Sequence, residues 1–100
     1  MTVELTKSLF AENVNTRFRL RDANGVEAEL ELVEVKDGYV SPSYESFSLY
    51  LRGGSKVLEQ RMYAMRHDAI GEFDLFITPI ARDQQGTCYE AVFNRLVKRS

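Results

Sequence analysis

The stretch that decides the fold is Arg17-Phe18-Arg19-Leu20-Arg21-Asp22-Ala23-Asn24-Gly25-Val26-Glu27-Ala28-Glu29-Leu30-Glu31-Leu32. Apolar and charged residues alternate on both sides of Asp22 to Gly25, the period-two signature of a half-buried β-hairpin. The register follows from the side chains. A two-residue Asn24-Gly25 turn would set Leu20 opposite Glu29 and place an acid on the apolar face. A three-residue Ala23-Asn24-Gly25 loop, with Gly25 left-handed, instead sets Phe18 opposite Leu30 and Leu20 opposite Ala28. It also sets Arg17, Arg19 and Arg21 opposite Glu31, Glu29 and Glu27.

Working outward, apolar parity switches from Leu30 and Leu32 to Val33 and Val35, which predicts a β-bulge near Leu32 and Val33. The next strand, Phe47 to Arg52, can then bring Phe47 and Leu49 against Val35 and Val33. Asp37 to Ser46, rich in Ser, Gly, Pro and Tyr, reads as a surface loop. After Gly53-Gly54-Ser55, Val57 and Leu58 are expected to tuck onto the core. Tyr63 and Met65 pair with Phe73, Leu75 and Ile77 around a His67 to Gly71 turn. Asp83-Gln84-Gln85-Gly86 repeats the Asp-x-x-Gly form; a three-residue loop there sets Ala81 opposite Tyr89, Pro79 opposite Ala91 and Ile77 opposite Phe93. Upstream, Leu5, Leu9 and Phe10 share one face of a short helix from Thr6, its cap, to about Asn13.

These segments predict an all-β domain: a six-stranded antiparallel meander closing as a small barrel or two-layer sandwich, with a short N-terminal helix. The 100 residues are one domain, with a core over 16–94 and a frayed tail at 95–100. Thirteen basic against 15 acidic residues, net charge −2, argue against nucleic acid as main partner. No apolar run reaches membrane-span length, and Met1 to Phe10 lacks a signal-peptide pattern, which points to a cytoplasmic location or a place in a larger assembly. A single cysteine, Cys88, excludes an internal disulfide.

No catalytic constellation emerges, so no enzyme activity and no cofactor or metal are expected. His67 is the sole imidazole and reads as a solvated turn residue; Cys88 reads as an inert small filler. Gly53-Gly54-Ser55-Lys56 lacks the spacing and following helix of a phosphate loop. Glu27, Glu29 and Glu31 are answered by arginines across the hairpin. What remains is an aromatic and basic group, Tyr39, Tyr44, Tyr50, Arg52 and Lys56, of the composition that contact surfaces favour.

Gly71-Glu72-Phe73-Asp74-Leu75-Phe76, Pro79 and Tyr89-Glu90-Ala91-Val92-Phe93-Asn94, with Arg17-Phe18-Arg19-Leu20 and Phe47-Ser48-Leu49, resemble a family of short bacterial proteins known only as a domain of unknown function. The resemblance covers most of Thr16 to Asn94; Gln60-Arg61-Met62-Tyr63 departs from the family's Gln-Gly-x-Tyr. Members are often encoded beside phage-tail-collar proteins. The resemblance therefore implies a non-enzymatic protein-interaction module in a phage-tail-like fibre or its assembly, with a tail-collar-type fibre protein or a second copy as partner. The alternative is a small-ligand or carbohydrate-binding β-barrel.

Overall fold

A computed structural model describes residues 5–22 and 24–96. The elements are α1 (Lys7–Ala11), β1 (Arg17–Arg21), β2 (Glu27–Ser41), β3 (Tyr44–Arg52), β4 (Arg61–His67), β5 (Gly71–Asp83) and β6 (Gly86–Leu96). The six strands close into one antiparallel barrel in the order β1-β2-β3-β6-β5-β4. Class, strand number and closure are as the sequence implies, and the barrel is the form adopted. The order is not a simple meander. Two three-stranded meanders, β1-β2-β3 and β4-β5-β6, join through β3 with β6 and β1 with β4. The β3–β6 seam runs from Tyr44 opposite Leu96 to Arg52 opposite Cys88, putting Phe47 beside Phe93 and Leu51 beside Tyr89. The β1–β4 seam has two pairs, Arg19 with Arg66 and Leu20 with Met65.

The β1–β2 register is the one the side chains dictate, from Arg17 opposite Glu31 to Arg21 opposite Glu27. Asp22 organises its turn: Oδ1 accepts from the Asn24 and Val26 N–H groups, and Gly25 takes φ +80°. Ala23 lies outside the described residues. The ion pairs are less regular than the register. Arg21 meets Glu27 at 3.7 Å, but Arg17 leans to Glu29 and Arg19 bonds Asp68 at 2.6 Å.

The bulge falls between Leu32 and Glu34, as parity requires, and Val35 lies opposite Leu49. Phe47 faces Asp37 instead of Val35, and Leu32 takes Leu51, because Val33 is the residue looped out. The expected loop over Asp37 to Ser46 is strand almost throughout: β2 continues to Ser41, Pro42 and Ser43 turn, and β3 starts at Tyr44. A second bulge at Gly38 and Tyr39 is patched by a side chain. The Ser46 hydroxyl accepts from the Tyr39 N–H at 2.7 Å and donates to its carbonyl at 3.2 Å. At the β5–β6 turn only Gln84 and Gln85 are unpaired, and a shift between Pro79 and Ala81 resets the register. Pro79 therefore faces Tyr89 and Ala81 faces Cys88, correcting the three-residue loop; proline has no N–H for a ladder, which favours a bulge there.

Both barrel ends are stoppered. At one end α1, capped by Thr6 Oγ1 on the Leu9 N–H at 3.1 Å, inserts Phe10 among Phe18, Phe47, Phe73 and Phe93. Burying that ring contributes roughly 1.5–3 kcal/mol, and Leu5 and Leu9 pack beside it. At the other end the β3–β4 crossover folds inward. Leu58 is buried while Val57 stays exposed, and the Tyr89 hydroxyl accepts from the Leu58 N–H at 2.9 Å. β6 reaches Leu96, two residues past the expected boundary; the rest of the expected frayed tail, 97–100, lies outside the described residues. Among the described residues, no helix is long and apolar enough to cross a membrane.

Candidate interaction surface

The five residues singled out by composition do not form one patch. Tyr44, Tyr50 and Arg52 share the outer face of β3, but Tyr44 and Arg52 are eight residues apart, a span of about 26 Å. Tyr39 stands beside Tyr44 at the tip of the β2–β3 hairpin, with ring centroids 6.2 Å apart and Tyr39 largely exposed. Lys56 belongs to the opposite end of the barrel, on the crossover after β3.

Three of the five are committed within the chain. Tyr50, flanked across the sheet by Glu34 and Glu90, donates its hydroxyl to Glu90 Oε2 at 3.0 Å. That bond to a carboxylate, aided by burial, raises the phenol above its ordinary value of 10.0. Arg52 Nη1 donates to Gln85 Oε1 at 3.1 Å and lies 3.5 Å from Asp83 Oδ1, bracing the β5–β6 turn. Lys56 Nζ bonds Asp22 Oδ2 at 2.6 Å, and this bond is the main reason the Asp22 carboxyl titrates below 3.8. Tyr39 and Tyr44 instead pack against each other.

His67 is not a solvated turn residue. It is buried at the end of β4 against the Phe18 ring, 4.5 Å between centroids, and both ring nitrogens are engaged. Composition could not show this, because the turn brings His67 under Thr16, 51 residues earlier. Cys88 is a half-buried free thiol beside Arg52 on the outer face. The glycines after β3 pair with β6: Gly53 N–H donates to the Thr87 carbonyl and Thr87 N–H to Gly54. Among the described residues no group of His, Cys, Asp and Glu is arranged to hold a metal.

Two features escaped the sequence reading. One is a three-stranded arm. Beyond the Thr78–Glu90 pair, β6 from Ala91 to Leu96 is laddered to β3 alone, and β2 from Glu34 to Ser41 likewise pairs with β3 alone among the described residues. Among the described residues the arm's backbone edges thus carry no partner strand. The other is a set of exposed apolar side chains. Met62 lies opposite Phe76, and Val92 on β6 also faces outward; all three are about half exposed. Their signal was available: each has the parity opposite to Tyr63, Leu75 and Ala91, where an all-polar face is otherwise expected. A concavity of about 810 Å³ straddles the thin β1–β4 seam and is lined by Arg19, Arg21, Arg66, Glu72, Phe73 and Asp74 among others.

No curated protein and no solved structure matches this chain. A family model described as a domain of unknown function, DUF6916, matches residues 5–93. The match spans most of the barrel, and the chain belongs to the DUF6916 family.

Proposed function

We propose that this protein is a non-enzymatic protein-interaction module, an accessory or structural component of a phage-tail-like fibre or its assembly. The observation that carries the interaction reading is the β2-β3-β6 arm. An unpaired strand edge offers a row of N–H and C=O groups to an incoming strand, which supplies affinity through the backbone. The Tyr39–Tyr44 pair at its tip adds aromatic area with polar ends, which is how binding hot spots are built. The fibre context rests on the resemblance to proteins encoded beside tail-collar genes.

The experiment is light scattering on the purified protein, alone and mixed with the product of the neighbouring gene, repeated with a Tyr39→Ser/Tyr44→Ser variant. A defined complex that the variant loses by tenfold or more in affinity supports the reading. A strict monomer that captures nothing, or a complex indifferent to the variant, sinks this surface.

The alternative, a small-ligand or carbohydrate-binding barrel, would have to use the outer groove at the β1–β4 seam, because Phe10, Tyr89 and their neighbours fill the interior. Its three arginines are already faced by Asp68, Glu27 and Glu72, which weighs against an anionic ligand. Glycan binding that Phe73→Ala abolishes would favour it.

A further inference from the structure

We infer that the β6 edge from Ala91 to Leu96 pairs with the same edge of a second copy of this chain, about a two-fold axis that sets Phe93 beside Phe93 of the other copy. The inference rests on reading the β2-β3-β6 arm as the interaction surface; it adds which edge is used and what occupies it.

The two edges of the arm are built differently. The β2 edge carries the devices by which native sheets discourage added strands. A bulge at Gly38 and Tyr39 breaks its register. Lys36 and Asp37 put charge on both faces, Asp37 on the face of the buried Phe47. The α1 helix lies against this strand, with Lys7 paired to Asp37. Self-pairing there would oppose Lys36 to Lys36 or Asp37 to Asp37.

The β6 edge lacks these devices. From Ala91 to Asn94 it has no charge, no proline and no glycine. Its register with β3 runs without a shift from the Arg52–Cys88 pair to the Tyr44–Leu96 pair. After the Thr78–Glu90 pair β5 turns away, and from Ile77 back to Gly71 it is laddered to β4.

Symmetry then limits the register. In a two-fold antiparallel pair, opposite residues come from the same face, and faces alternate along a strand, so the numbers of each pair add to an even total. Centring on Asn94 would oppose Phe93 to Arg95. Centring on Phe93 opposes the two Phe93 residues on the inward face and Val92 to Asn94 on the outward one. Phe93 stacks on Phe47, 4.9 Å between centroids, and meets Phe10 at 5.3 Å, yet it is only half-buried. The pairing continues that stack from one copy into the next and shelters Val92, which is 58% exposed. Aromatic cross-strand pairs stabilise a sheet, and no like charges meet in these pairs. Because the edge matches itself residue for residue, its occupant is a second copy.

The test is sedimentation of the purified protein alone, with amide hydrogen exchange across a concentration series. The expected result is a species of twice the chain's 11.5 kDa, whose formation slows exchange within 91–96 about tenfold while 34–41 is unchanged. Val92→Lys/Asn94→Lys alters two exposed positions and opposes lysines in both Val92–Asn94 pairs, so it should weaken the dimer about tenfold or more with an unchanged melting midpoint. Val92→Glu/Asn94→Lys opposes Glu to Lys and should retain it. A strict monomer, protection at 34–41 instead of 91–96, or a dimer indifferent to the lysine variant overturns the inference. Tyr39→Ser/Tyr44→Ser separates it from the broader reading. A dimer lost in that variant but not in the lysine variant leaves the arm as the surface and overturns the β6 pairing, as does a monomer that still binds the neighbouring gene product. A dimer lost only in the lysine variant supports the β6 pairing, whatever the neighbouring product does.

Discussion

Gly86 and Gly53 meet backbone to backbone at the closed end of the barrel. A Cβ on Gly86 would stand 2.1 Å from the Gly53 carbonyl oxygen, and Gly86 has φ +128°. Neither atom is a flexible side-chain end, so nothing yields cheaply. Gly86→Ala is expected to cost roughly 3 kcal/mol or more, through the clash and the disfavoured φ together. Urea denaturation reads this directly; a change under 1 kcal/mol would mean the crossover is free to move away.

Tyr89 fastens that crossover. Its hydroxyl accepts from the buried Leu58 N–H and sits 3.4 Å from the Lys56 carbonyl. Tyr89→Phe keeps the ring and strands the Leu58 donor, so it should cost about 1–3 kcal/mol. An unchanged melting midpoint would show that water reaches Leu58.

Phe10 and Phe76 have the same side chain in opposite circumstances, one fully buried and one about half exposed. Phe10→Ala should destabilise by about 3–5 kcal/mol. Phe76→Ala should stay within about 1 kcal/mol, its effect showing instead in self-association if the exposed Met62–Phe76 pair docks a partner. Thermal melts and sedimentation distinguish the two.

Asp22 sets an acid limit. Its carboxyl is depressed below 3.8 chiefly by Lys56 and then by the Val26 N–H. A carboxylate lowered in the folded state contributes stability above its unfolded value and loses it as pH falls through the folded one. Lys56→Met should therefore move the acid-unfolding midpoint upward, and Asp22→Asn should flatten stability across that range. An unshifted midpoint in Lys56→Met would assign the depression to the turn amides.

Tyr50 sets an alkaline counterpart. Its phenol is raised above 10.0, mainly by donating to Glu90. A group raised in the folded state loses its contribution as pH climbs through that value. Glu90→Gln should bring one phenolate titration down towards 10.0, followed by ultraviolet absorbance. If the titration does not move, Glu34 and burial hold the phenol instead.

Much of the molecule was legible because it is local. The β1–β2 register follows from charge opposite charge, the bulge after Leu32 from a parity change, and the helix from Thr6 with Leu9 and Phe10 on one face. Where the reading failed, a nearby signal was ambiguous. Gly38, Tyr39, Ser41 and Pro42 carry loop composition, yet the Ser46 hydroxyl substitutes for missing ladder bonds and keeps the stretch in the sheet. Asp83 to Gly86 has the Asp-x-x-Gly form of the first turn yet closes with two unpaired residues, and a further slip at Ile80, beside Pro79, moves the β6 pairing again.

The sequence by itself determined the strands, their inner and outer faces and the first hairpin, because period-two patterning and turn chemistry act over a few residues. Only the tertiary structure decided that β3 pairs with β6, that β1 meets β4 at two positions, and that Thr16 reaches His67. Those relationships link residues roughly 40 to 50 apart, and nothing in local pattern selects among edges of equal parity until the core closes and one ring order buries Phe10 and Tyr89 together. The same closure dispersed Tyr39, Tyr44, Tyr50, Arg52 and Lys56, since strands about 3.3 Å per residue carry chain neighbours to opposite ends of a barrel.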